Sequence, residues 1–183
     1  MKILNLHGYN GQPSNTNYEI LTELGYPVGS PQLNYGTEDP NKIVEYLSNY
    51  IKDWNIDLIV ATSFGAFFGK ILSLKYNIPL IATNPCLSPD VSLIKIAPEY
   101  FSDDKKAQFI FDNVEKNDLA GYKGNVFIVG TKDEIVDPKL TYVQAYNARI
   151  YKVANGHHQL NIDSYRRILE KEVDEIYVQI TQF

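Results

Sequence analysis

The chain has 183 residues, of which 44% are hydrophobic, and this is enough for one sizeable core. Its 17 basic and 22 acidic side chains give a net charge of −5, which provides no basic surface for a phosphate backbone and argues against nucleic acid as a partner. A single cysteine, Cys86, rules out an intramolecular disulfide and a cysteine-based metal site.

The hydropathy pattern predicts neither a membrane span nor an export signal. No stretch approaches the ~20 consecutive apolar residues that cross a bilayer. The N-terminal segment, "MKILNLHGYN", becomes polar too early for a signal peptide. We therefore expect a cytoplasmic protein with no membrane span.

Short apolar runs alternate with longer helical patterns along the whole chain. This alternation is typical of parallel strands that are connected by helices, and runs that are apolar on both faces suit strands covered on both sides. The sequence predicts a single α/β domain over residues 1–183, a three-layer α/β/α sandwich with a mostly parallel sheet. The predicted strands are residues 2–6, 57–61, 79–84, 125–130 and 149–153, with a weaker candidate at 28–33.

Capping residues mark several helix boundaries. Ser14 or Asn15 is predicted to open an early helix that Gly25 closes. Asp39, followed by proline, is expected to cap a second helix. The last helix has an apolar stripe that indicates a core-facing surface, formed by Tyr165, Ile168, Leu169, Val173, Ile176, Tyr177 and Ile180.

Residues 87–123 interrupt this regular alternation. The segment is longer than an ordinary connection and mixes charged side chains with Tyr and Phe. Long insertions in compact domains are usually lids, binding loops or irregular helical crossings. The sequence leaves these three interpretations open.

The stretch "DLIVATSFGAFFG" has the pattern of a strand that turns sharply into a helix at Ser63. In a nucleophile elbow, the residues two before and two after the serine must be small, because the chain reverses there. Here they are Ala61 and Gly65, so one methyl group separates the stretch from G-x-S-x-G. The alternative is an ordinary loop in which Ser63 only caps the helix.

Candidate partners for Ser63 follow two later strands. Asp133 lies in the turn after strand 125–130, whereas Asp137 precedes a proline and reads better as a helix cap, so we assign the acid role to Asp133 with Asp137 as the alternative. His157 and His158 follow strand 149–153, which gives the order Ser, Asp, His. Two adjacent histidines lack the third ligand and the spacing of a catalytic zinc site, so we predict no metal and no cofactor.

The loop after the first strand, "LHGYNG", occupies the place where a second oxyanion donor is expected. The backbone N–H groups of Tyr9 and Phe64 are the predicted oxyanion hole. Gly8 permits a tight turn. His7 is expected to shape this loop rather than act as a base.

These segments resemble small bacterial α/β-hydrolase-fold esterases of the YqiA type over nearly the whole chain outside the insertion. The resemblance rests on "ILNLHGYNGQPSN", "PQLNY", "ATSFGAFFGKILSLKYNIPLIATNP", "GTKDEIVD" and "NGHHQLNIDSYRRIL". It implies a minimal α/β-hydrolase fold with Ser63 as nucleophile, Asp133 as acid and His158 as base. His158 matches the family's histidine, and His157 occupies a position that is often acidic there.

The resemblance implies hydrolysis of a small-molecule carboxylic ester or thioester, without a cofactor. The family usually has a leucine and a glycine where this chain has Phe64 and Ala66, so we expect a narrower pocket mouth. Residues 98–117 lack the family's usual signature, and the acyl and alcohol specificity and the oligomeric state stay open.

Two other classes of protein share the strand pattern. A catalytically silent domain of the same fold could bind a ligand or partner through residues 87–123. A flavodoxin-like or nucleotide-binding domain would need a glycine-rich phosphate loop, and "HGYNGQPSN" matches neither G-x-G-x-x-G nor the P-loop.

Overall fold

A computed structural model describes residues 1–116, 124–145 and 148–182. The described strands are β1 (Ile3–Leu6), β2 (Val28–Gly29), β3 (Leu58–Thr62), β4 (Leu80–Thr83), β5 (Val126–Gly130) and β6 (Arg149–Val153). The described α-helices are α1 (Thr16–Glu23), α2 (Pro40–Trp54), α3 (Gly65–Tyr76), α4 (Pro89–Ile96), α5 (Asp104–Lys116), α6 (Pro138–Gln144) and α7 (Ile162–Thr181), with a 3₁₀-helix at Pro98–Ser102.

The six strands form one sheet in the order β2-β1-β3-β4-β5-β6, and all neighbouring strands are parallel. One face packs against α2, α3 and the helices of the insertion. The other face packs against α1 and α7. The predicted three-layer sandwich is therefore confirmed, and the parallel strands bring their carboxyl ends to one edge of the sheet.

Side-chain caps begin the helices where the sequence predicted. Asn15, rather than Ser14, accepts a hydrogen bond from the Tyr18 N–H at the start of α1. Asp39 accepts one from Asn41 N–H at α2, and Asp137 accepts one from Lys139 N–H at α6. Such caps satisfy backbone donors that the first helical turn leaves free, so they fix where the connecting loops end.

The described part of the insertion is helical. Helices α4 and α5 and the 3₁₀-helix contact one another and cover the α2–α3 face of the sheet. Tyr100, Phe109 and Ile110 are buried in that core. Residues 117–123 of the predicted insertion lie outside the described residues.

Within residues 1–116, 124–145 and 148–182, no helix combines the length and the apolar character needed to cross a bilayer.

Candidate active site

Ser63 stands at a sharp turn between β3 and α3, with a backbone φ of +50°. A non-glycine residue in this left-handed region is uncommon and carries backbone strain. The helix-capping position is Phe64, and no side chain makes a cap hydrogen bond there. The simple capping role for Ser63 therefore finds no support in the hydrogen bonds of this turn.

Ala61 is fully buried at the turn, and its methyl group lies near Gly69 of the following helix. A Cβ added to Gly69 would lie 3.4 Å from the Ala61 Cβ, which is an ordinary van der Waals contact, and 3.0 Å from Leu80 Cδ1. The turn therefore accommodates the methyl group that breaks the G-x-S-x-G pattern.

The loop after β1 packs tightly against the same turn. A Cβ added to Gly65 would overlap the backbone carbonyl oxygens of His7 and Leu6. A Cβ added to Gly8 would lie 3.1 Å from Ser63 Cβ and 3.6 Å from its Oγ. Glycines at both positions therefore allow the β1 loop to approach the serine hydroxyl closely.

Asp133 and His158 form a hydrogen-bonded pair in which the carboxylate is buried and the imidazole is partly exposed. The His158 Nδ1 lies 2.9 Å from Asp133 Oδ2 and 3.0 Å from its Oδ1. Asp133 Oδ1 also accepts the N–H groups of Ile135 and Val136, each at 2.8 Å. The Asp133 side chain is only 1% exposed. Three donors thus hold the carboxylate in place, and it in turn orients the imidazole.

The alternative acid and the neighbouring histidine are placed elsewhere. Asp137 caps α6 and makes no hydrogen bond with either histidine. The His157 side chain is 64% exposed, and its Nδ1 lies 3.1 Å from Glu134 Oε2. The pKa of Glu134 is lowered by backbone hydrogen bonds and by His157. The structure therefore brings Asp133 and His158 together. It does not bring Asp137 or His157 into this pair.

His7 is buried beneath the β1 loop, and both of its ring nitrogens have partners. Nδ1 lies 2.8 Å from the Gly8 carbonyl oxygen, and Nε2 accepts the Leu33 N–H at 3.0 Å. These contacts require a proton on Nδ1 and none on Nε2. Burial lowers the pKa of His7, which favours this neutral form, although the Gly8 hydrogen bond opposes the shift. His7 therefore shapes the loop, as the sequence predicted.

Ser63 and His158 line one pocket of about 450 Å³. Its walls are the β1 loop, the start of α1, the ends of β3 and β4, and Leu160 and Tyr165 near the start of α7. Two hydrogen-bonded pairs lie in these walls, Asn17 with Thr62 and Thr83 with Tyr165. Among the residues described, no Lys, Arg, Asp or Glu lines this pocket, and no residue of the insertion does.

The rings of Phe64, Phe67 and Phe68 lie in the core on the α2–α3 face of the sheet and do not line this pocket. Phe64, Phe67 and Phe68 are buried with Tyr35, Tyr100 and Phe109 in edge-to-face and stacked contacts. The Phe64 ring does not line the pocket, so it does not narrow the mouth as we expected. Aromatic residues here form core rather than a binding surface.

Within the described ranges, the Ser63 hydroxyl and the two predicted oxyanion donors have no hydrogen-bond partner. For the described residues, no hydrogen bond joins Ser63 Oγ to His158, and the Tyr9 and Phe64 N–H groups donate to no acceptor. The side chain of Tyr9 lies against Phe64 and Tyr100, and its hydroxyl lies 3.3 Å from Glu99. Of these two residues, Tyr9 lines the pocket.

Sequence reasoning missed Asn84, which lies directly after β4. This residue is 1% exposed and has a φ of +43°. Its Nδ2 donates to the carbonyl oxygens of His157 (3.0 Å) and His158 (2.7 Å), and its Oδ1 accepts the Gly130 N–H at 2.7 Å. The signal available in the sequence was an asparagine followed by proline at the carboxyl end of a central strand.

The neighbouring Cys86 is a buried core residue. Its backbone N–H donates to the Ser63 carbonyl oxygen at 3.0 Å. Burial raises the pKa of its thiol to about 12, so the thiolate is not formed near neutral pH. Cys86 therefore supports the elbow through its backbone.

Solved structures of similar shape share the α/β-hydrolase fold. MGS-MChE2, an α/β hydrolase enzyme from a lagoon-sediment metagenome, is 18% identical over 96% of this chain and 91% of its own, with a TM-score of 0.72. The monoacylglycerol lipase of Paleococcus ferrophilus is 18% identical over 94% of each chain, with a TM-score of 0.70. Est1E from Butyrivibrio proteoclasticus, solved with ferulic acid, is 13% identical over 97% of this chain and 89% of its own, with a TM-score of 0.78.

At these identities the likeness shows the fold alone. No protein-family model matches the chain, and no curated protein matches it. The chain therefore has the α/β-hydrolase fold, and its structural neighbours include esterases and lipases.

Proposed function

We propose that the protein is a serine hydrolase that cleaves carboxylic esters or thioesters through an acyl-enzyme intermediate. One observation carries the proposal: His158, which is hydrogen-bonded to the buried Asp133 carboxylate, lines the same pocket as Ser63, and Ser63 stands on a strained strand-to-helix turn. A serine, an imidazole and an orienting carboxylate in this chain order are the components of acyl transfer.

In the proposed mechanism, His158 Nε2 takes the proton of the Ser63 hydroxyl while Oγ attacks the acyl carbon. The N–H groups of Tyr9 and Phe64 donate to the oxyanion that forms. Asp133 holds Nδ1 protonated and stabilises the imidazolium. The mechanism requires a hydrogen bond between Ser63 Oγ and His158 Nε2 to form when substrate binds. Such catalytic hydrogen bonds are often long in ligand-free sites and shorten in the complex.

The structural neighbours support this chemistry, because the same fold carries esterase and lipase activity in several of them. The resemblance to YqiA-type esterases implies the same three residues. We propose a small-molecule ester or thioester as the substrate, with no metal or cofactor, and a cytoplasmic location.

A fluorophosphonate probe tests nucleophile and activation together. We expect it to label Ser63 covalently, as located on a tryptic peptide. Ser63→Ala should abolish labelling and lower turnover of p-nitrophenyl acetate by on the order of 10⁵-fold, as loss of a triad nucleophile does. Unchanged turnover in this variant would remove Ser63 from the mechanism.

One observation favours the alternative, a catalytically silent domain of the same fold that binds a ligand. It is the absence of a hydrogen bond between the Ser63 hydroxyl and His158, both of which are described residues. A protein of this kind has an unactivated serine, so it would leave the fluorophosphonate probe unreacted. The labelling experiment therefore separates the two functions.

A further inference from the structure

We propose that Asn84 is a positioning residue for the triad. Residues 83–86, the junction segment, hold three loops in place: the nucleophile loop at Ser63, the acid loop at Asp133 and the base loop at His158. The inference rests on the proposed function, because it assigns Asn84 a role in that reaction. It is carried by hydrogen bonds from this one segment to all three loops.

The side chain of Asn84 connects the acid loop to the base loop. Both hydrogens of its Nδ2 are used, one by the His157 carbonyl and one by the His158 carbonyl. Its Oδ1 accepts the N–H of Gly130, three residues before Asp133. Only a carboxamide can donate twice and accept once in this arrangement.

The backbone of the junction segment connects to the nucleophile. The Ser63 N–H donates to the Thr83 carbonyl oxygen, and the Cys86 N–H donates to the Ser63 carbonyl oxygen, both at 3.0 Å. Asn84 itself has a left-handed backbone (φ +43°), and its N–H donates to Ile128 on β5 at 2.8 Å. Asparagine tolerates this conformation better than most residues do.

The two loops that Asn84 joins are also bonded directly to each other. The N–H groups of Thr131 and Lys132 donate to the carbonyl oxygens of Val153 and Gly156, at 3.0 and 2.8 Å. These contacts join the two loops independently of Asn84. The particular contribution of Asn84 is to fix the His158 carbonyl, and hence the direction from which the imidazole approaches Ser63.

Two substitutions remove this contribution in different ways. Asn84→Asp keeps the shape of the side chain and the oxygen that accepts the Gly130 N–H. It replaces the Nδ2 group with a carboxylate oxygen, which repels the carbonyl oxygens of His157 and His158. Asn84→Gly removes the whole side chain and readily adopts positive φ. Asn55→Gly is the matched control, because Asn55 also has a left-handed backbone (φ +51°) at the exposed end of α2.

We expect Asn84→Asp and Asn84→Gly to lower kcat for p-nitrophenyl acetate at least tenfold while KM changes less than twofold, at a temperature well below every Tm. The downfield proton signal of His158 Nδ1–H, identified by its loss in His158→Ala, should shift or broaden in both. Asn55→Gly should retain the wild-type kcat and spectrum.

Two results would overturn the inference. One is a kcat within twofold of wild type in both Asn84 variants. The other is a loss of kcat that merely follows a loss of folded protein, with an unchanged imidazole signal. The proposed function is tested separately by labelling of Ser63 in the wild-type chain, so failure of one proposal is distinguishable from failure of the other.

Discussion

The acid–base pair and the nucleophile reach the same pocket, but different forces hold them there. Asp133 and His158 are fixed by hydrogen bonds with defined partners. Ser63 has no side-chain hydrogen bond among the described residues, and its turn is held by three backbone hydrogen bonds and by close packing against glycines. Side-chain hydrogen bonds therefore set the orientation of the acid–base pair, whereas backbone hydrogen bonds and close packing set the position of Ser63.

This contrast predicts that polar changes at the acid–base pair will lower activity with little loss of stability, whereas steric changes at the nucleophile will lower stability. Asp133→Asn and a glycine substitution at the elbow test it directly, and a third substitution, at His7, tests the polar contacts of the loop that packs against the nucleophile. They follow from the largest expected effect to the smallest.

Asp133→Asn should lower kcat on the order of 10³- to 10⁴-fold, because the amide can no longer stabilise the imidazolium and favours the wrong tautomer. The measurement is kcat for p-nitrophenyl acetate beside a thermal melt. Asp137→Asn is the control, because asparagine caps helices as well as aspartate does, and it should retain activity within about twofold. Equal losses in the two variants would contradict the assignment of Asp133.

Gly65→Ala should lower the free energy of unfolding by about 1–3 kcal/mol, because the added methyl would overlap the backbone carbonyl oxygens of His7 and Leu6. This cost exceeds the gain of about 1 kcal/mol that Gly→Ala brings in a helix interior. Chemical denaturation measures it. Gly69→Ala is the control, because its added methyl meets only side-chain atoms, and it should cost less; a stabilised Gly65→Ala would contradict the packing argument.

Acidification should weaken the β1 loop through His7. Its pKa is lowered in the folded chain, so the unfolded chain binds more protons between the folded and unfolded pKa values. Stability from this group is complete above the unfolded pKa, near ~6.5, and is lost as the pH falls below it. The free energy of unfolding should fall by up to about 1.4 kcal/mol per pH unit in this window.

His7→Asn provides the comparison, because asparagine retains a donor near Nδ1 but does not titrate. Its unfolding free energy, measured between pH 7.5 and 5, should depend less steeply on pH than that of the wild type. His157→Asn changes an exposed imidazole and should retain the wild-type dependence. A His7→Asn slope equal to the wild-type slope would show that His7 contributes nothing.

The sequence predicted the sheet well because the central strands β3, β4 and β5 are short, mainly apolar runs and helices α1, α2 and α6 begin at capping residues. All six predicted strand positions contain a strand, although the weak candidate at 28–33 is reduced to the pair Val28–Gly29. The pairing order of the strands did not follow from periodicity. It depends on contacts between segments that are distant in the chain.

The candidate site was predicted in part. Chain order located the regions of Ser63, Asp133 and His158, and a proline after Asp137 separated the two aspartates. The adjacent histidines could not be separated by spacing, because that choice depends on which imidazole meets the buried carboxylate. Asn84 was missed for a similar reason: its three partners lie 46, 73 and 74 residues away.

The close contacts at the elbow have a consequence for how such turns are found. A motif that demands glycine two residues before the serine tests Ala61, whereas the tight contacts at this turn lie at Gly65 and Gly8. An added Cβ would overlap the His7 carbonyl oxygen at Gly65 and would lie 3.1 Å from Ser63 Cβ at Gly8. A search that requires small residues at those two positions would retain this chain, and the fixed motif discards it.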